Sequence, residues 1–94
     1  MKNQRETIKW LAKEAGFILE KEIKEPEAGI VLPPIAAGER YLKWKAKMRL
    51  FVNSLPNGHP FKWEMTEKID DPEVSAIKEM KSMIEVIMEH NNIQ

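Results

Sequence analysis

The sequence predicts an all-α fold, a small single-domain bundle of three main helices plus one short helix. Three observations carry this. Apolar residues recur at intervals of three and four through most of the chain. Prolines at 26, 33, 34, 56, 60 and 72 bound the periodic segments rather than interrupt them. A length of 94 residues supports one modest core and neither a doubly wound sheet nor two domains.

The first helix is expected over 7–24. Ile8, Leu11, Ala12, Ala15, Ile18, Leu19 and Ile23 fall within a stripe about 140° wide at ~100° per residue, which is a core-facing side. Pro26 disfavours the α conformation in Glu25 and so sets the latest possible end. Residues 26–38 change character. Pro33-Pro34 forbids helix, yet Ile30, Val31, Leu32 and Ile35 are too apolar for a disordered linker, so this long connection is expected to lie partly buried across the helices. An alternative ends the first helix at Gly16 and pairs Ile30–Leu32 back against residues 17–23 as a hairpin.

The second helix is expected over 39–55, where Tyr41, Trp44, Met48, Phe51, Val52 and Leu55 make one aromatic-rich face. Pro56 ends it, and Asn57-Gly58-His59-Pro60 is a turn by composition. Phe61, Met65 and Ile69, four apart, suit a short helix over 61–69. Asp71 as cap, Pro72 in the first position and Glu73 at the positive end of the dipole predict the last helix over 72–90. Its buried face is Val74, Ile77, Met80, Ile84, Ile87 and Met88. The expected core is Ile8, Leu11, Ala15, Ile18, Tyr41, Trp44, Met48, Phe51, Phe61, Met65, Ile77, Met80 and Ile84.

Composition narrows the function classes. Fifteen cations balance fifteen anions, which argues against a partner found through bulk charge. No apolar run approaches a membrane span, the first six residues lack a signal core, and cysteine is absent, so a cytoplasmic setting is expected. His59 and His90 lie in a turn and a tail, Ser54, Ser75 and Ser82 have no strand-to-helix elbow, and the four glycines are isolated. Asp70-Asp71 reads as helix capping. No enzyme, cofactor or metal site is expected.

Two features point to a binding surface. Trp10 and Phe17, seven apart, share the side of the first helix opposite its core stripe, bordered by Lys13, Lys21 and Lys24. They are either covered by the 30–35 segment or exposed as an aromatic pair with a charged rim. On the last helix, Met83 and Val86 fall outside the best core stripe. Trp10, Phe17, Met83 and Val86 are therefore the candidate partner-binding residues, and a second copy of the chain, forming a homodimer, is the expected partner.

Nucleic acid is the alternative partner. Arg40, Lys43, Lys45, Lys47 and Arg49 give five cations within ten residues, interleaved with Tyr41 and Trp44. Arg40, Lys43 and Lys47 line one flank of the helix and are the candidate contacts. Because the cations occupy both margins of a core stripe, they read first as solvated borders. A helix-turn-helix with its turn at Gly16 would place Glu20, Glu22 and Glu25 in the reading helix, where phosphates would repel them.

From Pro33 onward, Gly38-Glu39-Arg40-Tyr41-Leu42-Lys43-Trp44, the Met48/Leu50/Phe51 helix, Leu55-Pro56-Asn57-Gly58-His59-Pro60-Phe61 and a final amphipathic helix follow one another. This order is similar to the helical modules that precede effector domains in uncharacterised bacterial proteins of the abortive-infection or phage-defence kind. The resemblance spans about two-thirds of the chain and rests on Tyr41, Trp44 and the hydrophobic pattern after them. It implies an adaptor or self-association module and carries no catalytic residue over. With no effector domain in the sequence, a separate small protein, phage-borne, is an equal expectation.

Overall fold

A computed structural model describes residues 4–29 and 31–93. Four helices and one short strand pair follow in the order α1 (Gln4–Lys21), β1 (Ile23–Lys24), β2 (Ile35–Ala36), α2 (Glu39–Ser54), α3 (Lys62–Lys68) and α4 (Val74–His90). The chain is mostly helical, as the periodicity predicts, but the strand pair is not part of the all-helical expectation.

α1 lies between α2 and α4, and α3 bridges the ends of those two. Ile8, Leu11, Ala15 and Ile18 of α1 are buried, and α1 runs unbroken through Gly16, which excludes the helix-turn-helix. Trp44 is fully buried at the centre, and its indole N–H donates to the Leu11 carbonyl at 2.9 Å. That bond fixes the rotation of α2 against α1 while satisfying the one polar atom that the indole takes into the core. Met48, Phe51 and Val52 continue this face, with Met65 and Ile69 below and Ile77, Met80, Ile84 and Ile87 opposite. Phe61 is only partly buried, at the margin of the core.

The segment between α1 and α2 departs most from expectation. α1 ends at Lys21, and Ile23 and Lys24 pair antiparallel with Ala36 and Ile35. This is a hairpin-like return, in a different register from the alternative considered above and without a break at Gly16. On its other edge the same strand meets residues 72–74. Ala36 N–H donates to the Pro72 carbonyl at 2.8 Å, Val74 N–H donates to the Pro34 carbonyl at 3.2 Å, and Ile35 bridges Glu73. α4 consequently starts at Val74 rather than at Pro72, because the Pro72 carbonyl and the Val74 amide serve this pairing. Asp71 still binds locally, its carboxylate accepting from Glu73 N–H at 3.0 Å. Val31 is 98% exposed and Leu32 61% exposed, so the apolar connection does not lie buried across the helices. Ile30 lies outside the described residues.

α2 has no side-chain cap of its own. Its N-cap is Gly38, with φ 123°, and the Glu22 carboxylate reaches across to accept from Tyr41 N–H at 2.7 Å. A negative group there complements the positive end of the helix and satisfies an otherwise orphaned donor. The positive φ demands glycine, and a Cβ at position 38 would also sit 2.8–2.9 Å from that carboxylate and push it off its bond to Tyr41.

Tyr41 stacks on Trp44 with ring centroids 6.3 Å apart and is buried. Its hydroxyl has no hydrogen-bond partner among the described residues. Burial raises its pKa above the ordinary tyrosine value, and the negative charges of Asp71 and Asp70 raise it further. A folded-state pKa above the unfolded one means that the stability linked to this proton is complete below the ordinary tyrosine pKa. It is lost as pH climbs through the raised value. Tyr41→Phe is therefore expected to match or exceed the parent stability at neutral pH, by up to about 1 kcal/mol, and to lessen the loss in alkali. Urea unfolding of both chains at neutral and alkaline pH checks this, and the single tyrosine allows its ionisation to be followed directly by absorbance.

Candidate interaction surface

The structure does not bring Trp10, Phe17, Met83 and Val86 together. Trp10 and Phe17 lie along the α1–α2 seam, Trp10 partly buried and Phe17 still 40% exposed, each with a cation of α2 against its ring. The Lys47 ammonium sits 4.4 Å from the Trp10 ring centroid, and the Arg40 guanidinium sits 4.4 Å from that of Phe17. The aromatics are seven residues apart on one helix and the cations seven apart on the other, in the opposite chain order that antiparallel helices require. Arg40 also pairs with Glu14 at 2.7 Å. Each cation–ring contact is worth about 0.5–1 kcal/mol at this exposure. Two of the three proposed nucleic-acid contacts, Arg40 and Lys47, are thus held against the two proposed partner-binding aromatics. Lys43 remains exposed on the outer side of α2.

Met83 corrects the expectation for α4. It is 8% exposed and belongs to the core, because α4 packs against α1 and α3 at once and buries a wider arc than one stripe. Val86 is half exposed and borders a hollow with His59, Pro60, Phe61 and His90. His59 is engaged within its own turn, its Nδ1 accepting from Phe61 N–H at 3.1 Å.

A larger concavity lies elsewhere, where the strand pair meets the start of α4. A groove of about 710 Å³ has an apolar lining of Pro26, Leu32, Pro33, Ile35 and Pro72. Glu25, Glu27, Asp71 and Glu73 line it as well, against the single cation Lys24. Three separate stretches of chain meet there because β2 is paired on both edges. Cysteine is absent, and among the described residues no group of three or more His, Asp and Glu could hold a metal ion. The chemistry this groove offers is apolar contact within a negative field.

Beside it lies a basic surface that the periodicity argument missed. Leu42, Ala46 and Leu50, four apart, run along the outer side of α2, and Leu42 and Leu50 are 60% and 72% exposed. Lys43 borders them on one flank, with Lys45 and Arg49 on the other. Arg49 and Lys45 both reach the Asp70 carboxylate, at 2.7 and 3.3 Å. The Arg49 hydrogen bond, then that of Lys45, holds the Asp70 carboxyl below the usual carboxylate range. Asp70 immediately precedes Asp71 of the groove, so the basic ridge and the acidic groove adjoin. The four-residue repeat of Leu42, Ala46 and Leu50 was the available signal, overshadowed by the stronger stripe on the opposite side.

Compared with protein-family models, curated proteins and solved structures, the chain matches none.

Core and surface on α4 can be told apart by one charge. Met83→Glu is expected to destabilise the fold by more than about 4 kcal/mol, because it buries an unpaired carboxylate. Val86→Glu, one turn away and half exposed, should stay within about 0.5 kcal/mol of the parent. Thermal melts followed by circular dichroism decide between them.

Proposed function

We propose that this protein is a non-enzymatic interaction module that docks a protein, either a partner or a second copy of itself. The observation that supports this best is the acidic apolar groove of about 710 Å³ set beside the exposed Leu42/Leu50 ridge. Charged residues of opposite sign flank two exposed apolar surfaces, which is the composition of a docking face with an orienting rim. The ionisable groups that the structure perturbs fit the same reading. Asp70 sits in a surface ion pair, Tyr41 in the core and Lys68 against Glu79, and none of them faces the groove floor. The resemblance to modules of the abortive-infection kind points toward an adaptor as well. A cytoplasmic setting goes with this reading, since the chain contains no cysteine and no described helix is long and apolar enough to cross a membrane.

Nucleic acid is the competing partner, and the geometry weakens it. Of the cations on α2, Arg40 is paired with Glu14, Lys45 and Arg49 share Asp70, and Lys47 covers Trp10. Affinity capture from source cells with the parent chain and with Leu32→Glu tests the proposal. A protein retained by the parent and lost with the variant is the expected outcome. Titration of random duplex DNA near physiological ionic strength should give no salt-dependent complex, and the appearance of one would overturn the reading.

A further inference from the structure

We propose that the groove's occupant is the α2 ridge of a second copy of this chain, in a two-fold dimer where each copy gives its ridge and receives its partner's. This inference rests on the interaction-module reading and names its partner.

Complementarity within one surface carries the argument. A two-fold interface needs a patch that matches itself after rotation, so that a feature on one half meets a different feature on the other half. The groove and the ridge are such halves. The groove presents Leu32 and Ile35 among four carboxylates and Lys24. The ridge presents Leu42 and Leu50 with Lys43, unpaired among the described residues, on one flank, the Asp70-bound Lys45 and Arg49 on the other and Glu39 at its start. The balance is negative in the groove and positive on the ridge. Asp70 lies on the border, held by Lys45 and Arg49 from the ridge side and followed in sequence by Asp71 on the groove side. On a helical wheel Leu42 lies within about 20° of Arg49, so the ridge's apolar line is next to the flank that meets Asp70. An axis through this border sets acid against base twice and apolar against apolar twice.

Charge distribution favours a copy over a foreign chain. The net charge is zero, so two copies do not repel each other as wholes, while the segregated halves attract. A strongly basic foreign partner would be drawn to the groove and driven from the adjoining ridge.

The test is a charge swap on the full chain, read by sedimentation equilibrium. The parent should associate to twice its 11.0 kDa, more weakly as salt rises. Glu25→Lys/Glu27→Lys makes the groove basic, and Lys43→Glu/Ala46→Glu makes the ridge acidic. All four positions are exposed, and none takes part in the Asp70 contacts. Each variant alone should associate at least about tenfold more weakly, because like charges then oppose in both halves of the dimer. Mixed in equal amounts, the two should form a heterodimer, since both of its halves pair opposite charges. A parent that stays at 11.0 kDa at every concentration overturns the proposal, as does a dimer that neither variant weakens, or a mixture without heterodimer. If self-association fails while the Leu32-dependent capture succeeds, only this inference falls. If the capture fails and no dimer forms, the module reading falls with it.

Discussion

Two residues, Ile35 and Ala36, are held from both sides, and the rest of the structure is arranged around that constraint. On one edge they pair with Lys24 and Ile23, and on the other they bond to the 72–74 stretch. Backbone polar groups near a core must find partners, and here stretches from three parts of the chain satisfy one another without any long strand. The two prolines before Ile35 suit this role. Proline has no amide to leave unpaired, and the Pro34 carbonyl still accepts from Val74. The consequences run outward. Ala37 N–H donates to the Glu22 carbonyl, which brings the Glu22 side chain to the start of α2. Gly38 gives that carboxylate room, α4 starts where the pairing stops, and the groove is the space the three stretches enclose.

Most of the cations of α2 are engaged within the chain, which is how a helix with so many positive charges lies in a neutral protein. Arg40 covers Phe17 and pairs with Glu14, Lys47 covers Trp10, and Lys45 and Arg49 converge on Asp70. Exposed ion pairs contribute little each, in the range of 0 to about 1 kcal/mol. Their effect here is positional. Together with the Trp44–Leu11 hydrogen bond they set how α2 is turned, and that rotation leaves Leu42 and Leu50 facing outward.

The helices were legible because their signals are local. Ile8, Leu11 and Ile18, and then Tyr41, Trp44, Met48 and Phe51, declare their faces by spacing alone, and all are buried. Misreadings arose where a distant stretch overruled a local signal. Asp71-Pro72-Glu73 has the chemistry of a helix start, yet pairing with residues 34–36 keeps Pro72 and Glu73 outside the helix. The composition of Val31-Leu32 suggested burial, but hydrophobicity says only that a surface gains from being covered. Nothing in the described residues covers Val31. Met83 stood outside a stripe drawn for one neighbour, whereas α4 has two. Of the groove, Leu32 and Ile35 were visible in sequence as apolar residues, but their assembly with Asp71 and Glu73 depends on contacts some forty residues apart.

Hydrogen exchange of the backbone amides tests most directly whether the doubly paired strand organises the molecule. Ala36, Ala37 and Val74 lie at or beyond the ends of regular elements, where amides ordinarily exchange fast, yet each donates to a partner distant in sequence. They are expected to be protected to a degree approaching that of the α1 and α4 interiors, while Val31 and Leu32 exchange at open-chain rates. Exchange of Ala36 and Val74 as fast as that of Val31 would contradict the account, because the strand would then be an incidental contact.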